Sequence, residues 1–178
     1  MQPEGKHSTQ LAVMLDLETL GTHPLAPVAE IGAVKFFLDG TQDSAMIEEP
    51  EFHKQIDMRE EIIAGSLPDK GSIEFWMNQE RDTQRHVLFG NEHPLRVLQA
   101  FMEWLPVNIL VFSNGPHFDF VLINQALRRH GLQSIAYWRV RRMKSWAQAV
   151  CRMANMDYTQ EQKKWKEGLA TKGGALRP

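Results

Sequence analysis

The tetrapeptide Asp16-Leu17-Glu18-Thr19, set directly behind the apolar run Leu11 to Leu15, constrains this chain more than any other segment. An uninterrupted apolar run of that length reads as a strand buried on both faces. It delivers Asp16 and Glu18 to its carboxyl end. Residues i and i+2 of a strand point to the same side, so the two carboxylates converge on one spot and repel unless something positive lies between them. A divalent metal is the natural candidate. A solvated strand end is the alternative that any isolated Asp-x-Glu leaves open.

The surroundings favour a binding site. Gly21, Pro24 and Pro27 make the following loop one that permits close backbone approach by a ligand. A second apolar run, Val28 to Leu38, then turns at Asp39-Gly40 towards a polar third strand between Ser44 and Asp57. Further on, Ile109 to Phe112 is a short strand-like run and Asn114-Gly115-Pro116 a turn, while Phe118, Leu122, Ala126 and Leu127 carry helical spacing towards His130. Asp119 falls in the first turn of that helix. The helix dipole there favours the ionised form that a metal ligand requires; capping the helix is the other role open to it.

Ser72 to Phe89 reads as a helix capped by Ser72, and His93 to Leu105 as one with Leu95, Leu98, Phe101 and Leu105 on a single face. Gly65 to Gly71 reads as a loop, and Trp138 to Met153 as a further helix.

With 178 residues the chain is expected to form a single domain, 11–178, behind a flexible leader, 1–10. A net charge of −2 gives no global basic surface, so nucleic-acid binding must rest on a local patch. Arg128, Arg129, Arg139, Arg141, Arg142 and Lys144 form one, with no acidic residue between them. They could track a phosphate backbone or simply make a solvated helix face. The single Cys151 is expected to be a small buried residue in a reducing cytoplasm. No apolar segment approaches the roughly 20 residues of a membrane span, and Met1 to Gln10 lacks the core of a signal peptide, so a cytoplasmic protein is expected.

Four blocks, in this order, carry a resemblance: Val13 to Thr22 (V-M-L-D-L-E-T-L-G-T), Ala26 to Phe36 (A-P-V-A-E-I-G-A-V-K-F), Ser72 to Gln79 (S-I-E-F-W-M-N-Q) and Phe112 to Asp119 (F-S-N-G-P-H-F-D). The chain resembles the DEDD exonucleases of the DnaQ and RNase T type, which remove nucleotides from 3′ ends. It looks most like their phage and prophage branch, exodeoxyribonuclease VIII-like, and the mycobacterial exoribonuclease relatives. The resemblance implies an α/β, RNase H-like mixed sheet, its first three strands antiparallel, flanked by helices. It implies two Mg2+ or Mn2+ ions, with Asp16 bridging both, Glu18 on the ion that carries the water and Asp119 on the other. Thr19, Leu20 and Gly21 correspond to the loop that holds the terminal nucleotide, with Leu20 as an apolar wedge. Trp76 is either a stacking platform or a core tryptophan, and Gln79, Asn114 and Phe118 are further nucleotide-binding candidates. The implied partner is a 3′ end of single-stranded DNA or RNA. The RNase T-like members point to a homodimer as well.

The pattern departs at its third block, which in the family supplies a general-base His and a final Asp. The nearest counterpart is Gly173-Gly174-Ala175-Leu176-Arg177-Pro178, with Gly173 at the His position and Pro178 at the Asp position. The expectation is a truncated member with three metal carboxylates and impaired activity. A catalytically deficient module that binds nucleotides or 3′ ends is the alternative. An aspartyl-phosphate phosphatase is a third reading, disfavoured because its later Lys and acidic motifs have no counterpart.

Overall fold

A computed structural model describes residues 10–38 and 47–171. Residues 1–9 of the expected leader 1–10, the turn expected at Asp39-Gly40 and the Gly173 to Pro178 tail lie outside the described residues.

The acidic pair lies on the central strand. In sequence order the strands are β1 (Leu11–Thr19), β2 (Val28–Phe37), β3 (Glu51–Gln55), β4 (Leu110–Ser113) and β5 (Val140–Arg142), arranged in space as β3-β2-β1-β4-β5. β1 pairs antiparallel with β2 from Leu11↔Phe37 to Glu18↔Glu30, and parallel with β4 from Ala12↔Leu110 to Met14↔Phe112. β2 and β3 are antiparallel. The expected mixed sheet, with its first three strands antiparallel, is the one observed.

Strand alternation sorts β1 into two faces. Val13, Leu15 and Leu17 enter the main core with Leu98, Phe101, Leu122 and Leu127. Each such side chain contributes about 1.5–3 kcal/mol by leaving water. The opposite face of β1 runs from buried Ala12 through half-buried Met14 to exposed Asp16, so β1 is buried on both faces only at its start.

The helices that fill the core are α4 (Pro94–Trp104) and α5 (Pro116–Arg129), each opened by a proline in the first turn, where its missing N–H costs nothing. α1 (Met58–Ile63) escapes the sequence reading. It is short, and Asp57 caps it through the Arg59 backbone N–H. Buried Glu61 ties this helix to α5, pairing with Arg129 and, at 2.7 Å, with His130 Nε2.

Two expected helices are corrected. The span 72–89 is α2 (Lys70–Met77) and α3 (Arg81–Leu88), and the cap of α2 is Asp69 rather than Ser72. The break is hydrogen-bonded: Gln84 Nε2 donates to Met77 O at 2.7 Å and to Gln79 O at 2.8 Å. The span 138–153 begins as a 3-10 turn (Tyr137–Arg139) and the edge strand β5 before α6 (Met143–Met153) starts. Arg139 anchors the segment by donating to Ile109 O and Pro106 O, both at 2.9 Å. A second compact unit, beginning at Arg142, contains α6 and α7 (Tyr158–Thr171), with Asp157 accepting from the Gln160 N–H at the start of α7. Cys151, in that unit, is buried.

Candidate active site

At the carboxyl end of β1 the side chains of Asp16 and Glu18 share one face of the sheet. Met14 is level with Phe112, so Asp16 lies abreast of the chain's exit from β4, where Asn114 and Gly115 lead into α5. Asp119 follows in the first turn of α5 and is almost wholly buried. It does not cap the helix. Gly115 occupies the cap position without a side-chain hydrogen bond, which removes the bland role for Asp119.

Both Asp16 and Asp119 have perturbed carboxyls. Burial pushes the Asp119 carboxyl above the usual carboxylate range; the Ser113 hydroxyl opposes this and the negative charge of Asp16 adds to it. Desolvation also raises Asp16, with the Leu17 backbone N–H opposing and the charge of Glu30 adding. Asp16 and Asp119 make no ion pair among the described residues. A divalent ion would reverse both shifts, because a nearby positive charge favours the ionised carboxylate. Asp16, Glu18 and Asp119 offer oxygen ligands only, the kind that hard divalent ions take, but among the described residues one oxygen from each does not come within 4.8 Å of the others.

Beside the carboxylates opens a cavity of about 500 Å3 lined by Glu18, Thr19, Thr22, Asp69, Phe75, Trp76 and Phe118, among others. This is the size of a pocket that takes a small ligand. Its rim is tied together by Asp69, which accepts from the Ser72 N–H at 2.7 Å and from the Thr22 N–H at 2.9 Å. Those backbone hydrogen bonds hold its carboxyl below the usual range. Thr19 Oγ1 donates to Gly21 O at 2.8 Å, and the Trp76 indole N–H donates to Thr19 O at 2.8 Å. Gly21 is required by close packing, since a Cβ there would meet the Ala26 Cβ at 2.7 Å.

The nucleotide-binding candidates therefore divide. Thr19, Trp76 and Phe118 line the cavity with Glu18. Trp76 is only 7% exposed and packs with Leu20, Ala29, Met58 and Val87, so it is a core tryptophan that also forms part of the wall. Leu20 is turned into that same cluster instead of projecting as a wedge, because its backbone is clamped by Pro27 O and the Asp69 N–H. Gly21, Gln79 and Asn114 do not line the cavity. The Gln79 amide donates back to Phe75 O at 3.1 Å, and Asn114 is exposed beyond β4.

Sequence reasoning missed Thr22, Asp69 and Phe75. Phe75 is 55% exposed and stands edge-on to Trp76, ring centroids 5.1 Å apart. An exposed aromatic beside a cavity is a stacking surface. The signals present were Pro68-Asp69 three residues before Ser72, a capping spacing, and the adjacency of Phe75 to Trp76. The basic run is partly structural as well: Arg129 is committed to Glu61, and Arg139 to backbone carbonyls, with burial lowering its pKa.

Comparison with known proteins agrees with this architecture. The metal-free form of the E. coli exonuclease I complex with single-stranded DNA superposes with a TM-score of 0.55 at 14% identity, over 82% of this chain and 30% of that one. A product-bound exonuclease I gives 0.56 at 14%, over 82% and 32%. The E. coli enzyme with a dT13 oligonucleotide gives 0.51 at 14%, over 70% and 25%. The chain thus spans less than a third of the length of these structures, and at such identity they establish the fold, which is RNase H-like. No curated protein matches the chain. A family model, the 3'-5' exoribonuclease Rv2179c-like domain, matches residues 11–176. It spans the central strand, the acidic pair and Asp119 alike, and the chain belongs to that family.

Proposed function

We propose that this chain is a metal-dependent 3′-5′ exonuclease that hydrolyses phosphodiester bonds at single-stranded nucleic-acid 3′ ends and releases nucleoside monophosphates. The observation that carries it is the family match over residues 11–176, supported by Asp16 and Asp119, which act on each other and are both held above the usual carboxylate range, and by Glu18, which lines the neighbouring cavity. Those three residues would hold Mg2+ or Mn2+, which supplies activation of water and neutralisation of the leaving 3′ oxygen. The chain's own groups position the substrate. Phe75 and Phe118 offer aromatic surface to the terminal base, the Thr19 to Thr22 loop is braced by Asp69 and Trp76, and the Glu18 side of the cavity faces the scissile phosphate. Exposed Arg128, which also donates to Ser134 Oγ, is a candidate to meet the phosphate backbone. RNA is favoured as substrate by the family's description, and the DNA complexes of exonuclease I make DNA the substrate to test beside it.

The segment 11–178 acts as one exonuclease domain in this reading, of the phage and prophage branch that the Ser72 to Gln79 block resembles. By the resemblance, Gly173 and Pro178 fall where the family has its base and fourth carboxylate. That same feature favours the second reading, a module that binds 3′ ends without cleaving them.

Release of mononucleotides from 5′-labelled RNA and DNA oligonucleotides with Mn2+ tests the proposal. Release that disappears with a chelator and in Asp16→Asn supports it. Tight 3′-end binding with no release supports the binding module instead. Replacing Gly173 to Pro178 by His-Asn-Ala-Leu-Asp-Asp, extended by a helix-forming segment, should raise the rate by ~10²–10⁴-fold if the missing base is the deficit. Equal rates before and after the replacement would show that another group supplies the base.

A further inference from the structure

Outside the carboxylate set, three side chains from different elements meet on the same side of the sheet: Glu30 of β2, His53 of β3 and His86 of α3. His53 Nε2 lies 2.6 Å from Glu30 Oε1, and His86 Nε2 lies 2.9 Å from Glu30 Oε2. One ligand atom from each falls within 4.8 Å of the others. The two imidazoles stack with centroids 5.5 Å apart. Glu30 is 9% exposed, and its Oε2 is fully buried without a hydrogen bond of acceptable geometry, despite the nearness of His86 Nε2. A buried carboxylate oxygen that lacks a hydrogen bond keeps lone pairs that a cation could take.

We infer that Glu30, His53 and His86 form a second divalent-cation site, of zinc type, distinct from the Asp16, Glu18 and Asp119 set. Two imidazole nitrogens and one carboxylate are a borderline-soft donor set that selects Zn2+ or Co2+ over Mg2+ and Mn2+. Three protein ligands leave a fourth position for water. Tetrahedral bonds of about 2.0–2.2 Å place ligand atoms about 3.3 Å apart, so the 2.6 Å pair of His53 and Glu30 must open by about 0.7 Å, a movement the exposed His53 side chain can supply. Access is provided by an open cavity of about 290 Å3 bordered by Asp16, Gly32, Glu51 and His53.

A ligating imidazole needs a partner on its other nitrogen to fix its tautomer. His86 has one: the Gln55 amide lies 2.7 Å from its Nδ1. As it stands the Gln55 amide Nε2 donates to Nδ1, which leaves the proton on Nε2 towards Glu30; binding an ion at Nε2 displaces that proton, and a half-turn of the amide lets Gln55 accept from Nδ1–H instead. The site also adjoins the proposed catalytic carboxylates, since Glu30 is the cross-strand partner of Glu18. An ion there would tie α3 and β3 to β2 and offset a negative charge beside Asp16.

The test uses the untagged full chain stripped of metal by chelation. Titration with Co2+ alone should produce the visible absorption of a four- or five-coordinate imidazole-bound ion at one equivalent. Zn2+ should displace it, and Mn2+ in excess should not. His53→Asn and His86→Gln should each weaken Co2+ affinity at least about tenfold, and Gln55→Leu should weaken it by a smaller factor within the 10–100-fold range of outer ligands. Asp16→Asn should leave the Co2+ spectrum intact while removing the Mn2+ response, so that failure of this site and failure of the proposed catalytic site read differently. X-ray absorption at the zinc edge of the loaded wild type should count two imidazoles, whatever the variants do to folding. A chain that gives no imidazole-bound Co2+ spectrum, or one whose spectrum survives both His substitutions, overturns the inference.

Discussion

Two groups of buried acidic side chains in this protein are treated in opposite ways. Glu61 is completely buried, yet both of its oxygens are matched, one by Arg129 and one by His130. Asp119 is nearly as deeply buried, and the charge that acts on it is that of another carboxylate, Asp16. The first arrangement ties α1 to α5 and has no purpose beyond the fold. The second leaves a buried carboxyl facing another negative charge, which raises its pKa. Charge pairing, rather than burial, separates the structural carboxylate from the one proposed to hold a metal.

The largest expected effect comes from breaking the paired group. Glu61→Gln leaves the Arg129 guanidinium buried without its counter-ion and should cost about 3–5 kcal/mol in urea denaturation. A loss below about 1 kcal/mol would mean that water reaches this cluster, and the contrast with Asp119 would fall.

Trp76→Ala follows, because it removes a buried aromatic and the indole N–H bond to Thr19 O that braces the site loop. A cost of about 3 kcal/mol is expected. Phe75→Ala, at the exposed neighbour, should leave stability unchanged within about 0.5 kcal/mol and weaken nucleoside monophosphate binding, by about 1–3 kcal/mol if it stacks. The reverse assignment of losses would make Trp76 the platform and Phe75 an ornament of the surface.

Asp57 offers a paired carboxylate at the edge of the core. Its side chain accepts from the Arg59 backbone N–H at 2.9 Å and meets the Arg59 guanidinium at 2.6 Å, which lowers its pKa to about 2. Asp57→Ala should cost about 1 kcal/mol at neutral pH through the lost cap, the exposed Arg59 partner adding little in water. Because the folded pKa is the lower one, this stabilisation is complete above the unfolded value of 3.8 and is lost as pH falls towards about 2. Comparing denaturation of variant and wild type across that window checks the sign.

The smallest effect has the opposite direction. The folded pKa of Asp16 is raised above its unfolded value, so the native state binds the extra proton and metal-free stability declines as pH rises from 3.8 through the raised pKa. Asp16→Asn should therefore be slightly more stable than wild type at neutral pH in a chelator, by less than about 1 kcal/mol, and lose that advantage in acid or when Mn2+ is added. Destabilisation in the chelator would show that Asp16 supports the fold in its own right.

What could be read from the sequence was whatever depends on neighbours along the chain. The pairing of Asp16 with Glu18 on one face follows from strand geometry, and Asp119 in the first turn of α5 follows from Pro116 and the apolar spacing behind it. The antiparallel opening of the sheet follows from apolar runs separated by turn residues. Tertiary structure decided the rest, because those features depend on groups far apart in sequence. Leu20 turns inward only because Pro27 and Asp69 clamp its backbone. Asp69 becomes a rim residue only because Thr22 reaches it across the cavity. The helical pattern of 138–141 yields to turn and strand because Arg139 finds the free carbonyls of Pro106 and Ile109. Glu30, His53 and His86 have no shared motif; β2, β3 and α3 bring them together. Local periodicity reports which face a side chain occupies, and only the packed chain determines what that face meets.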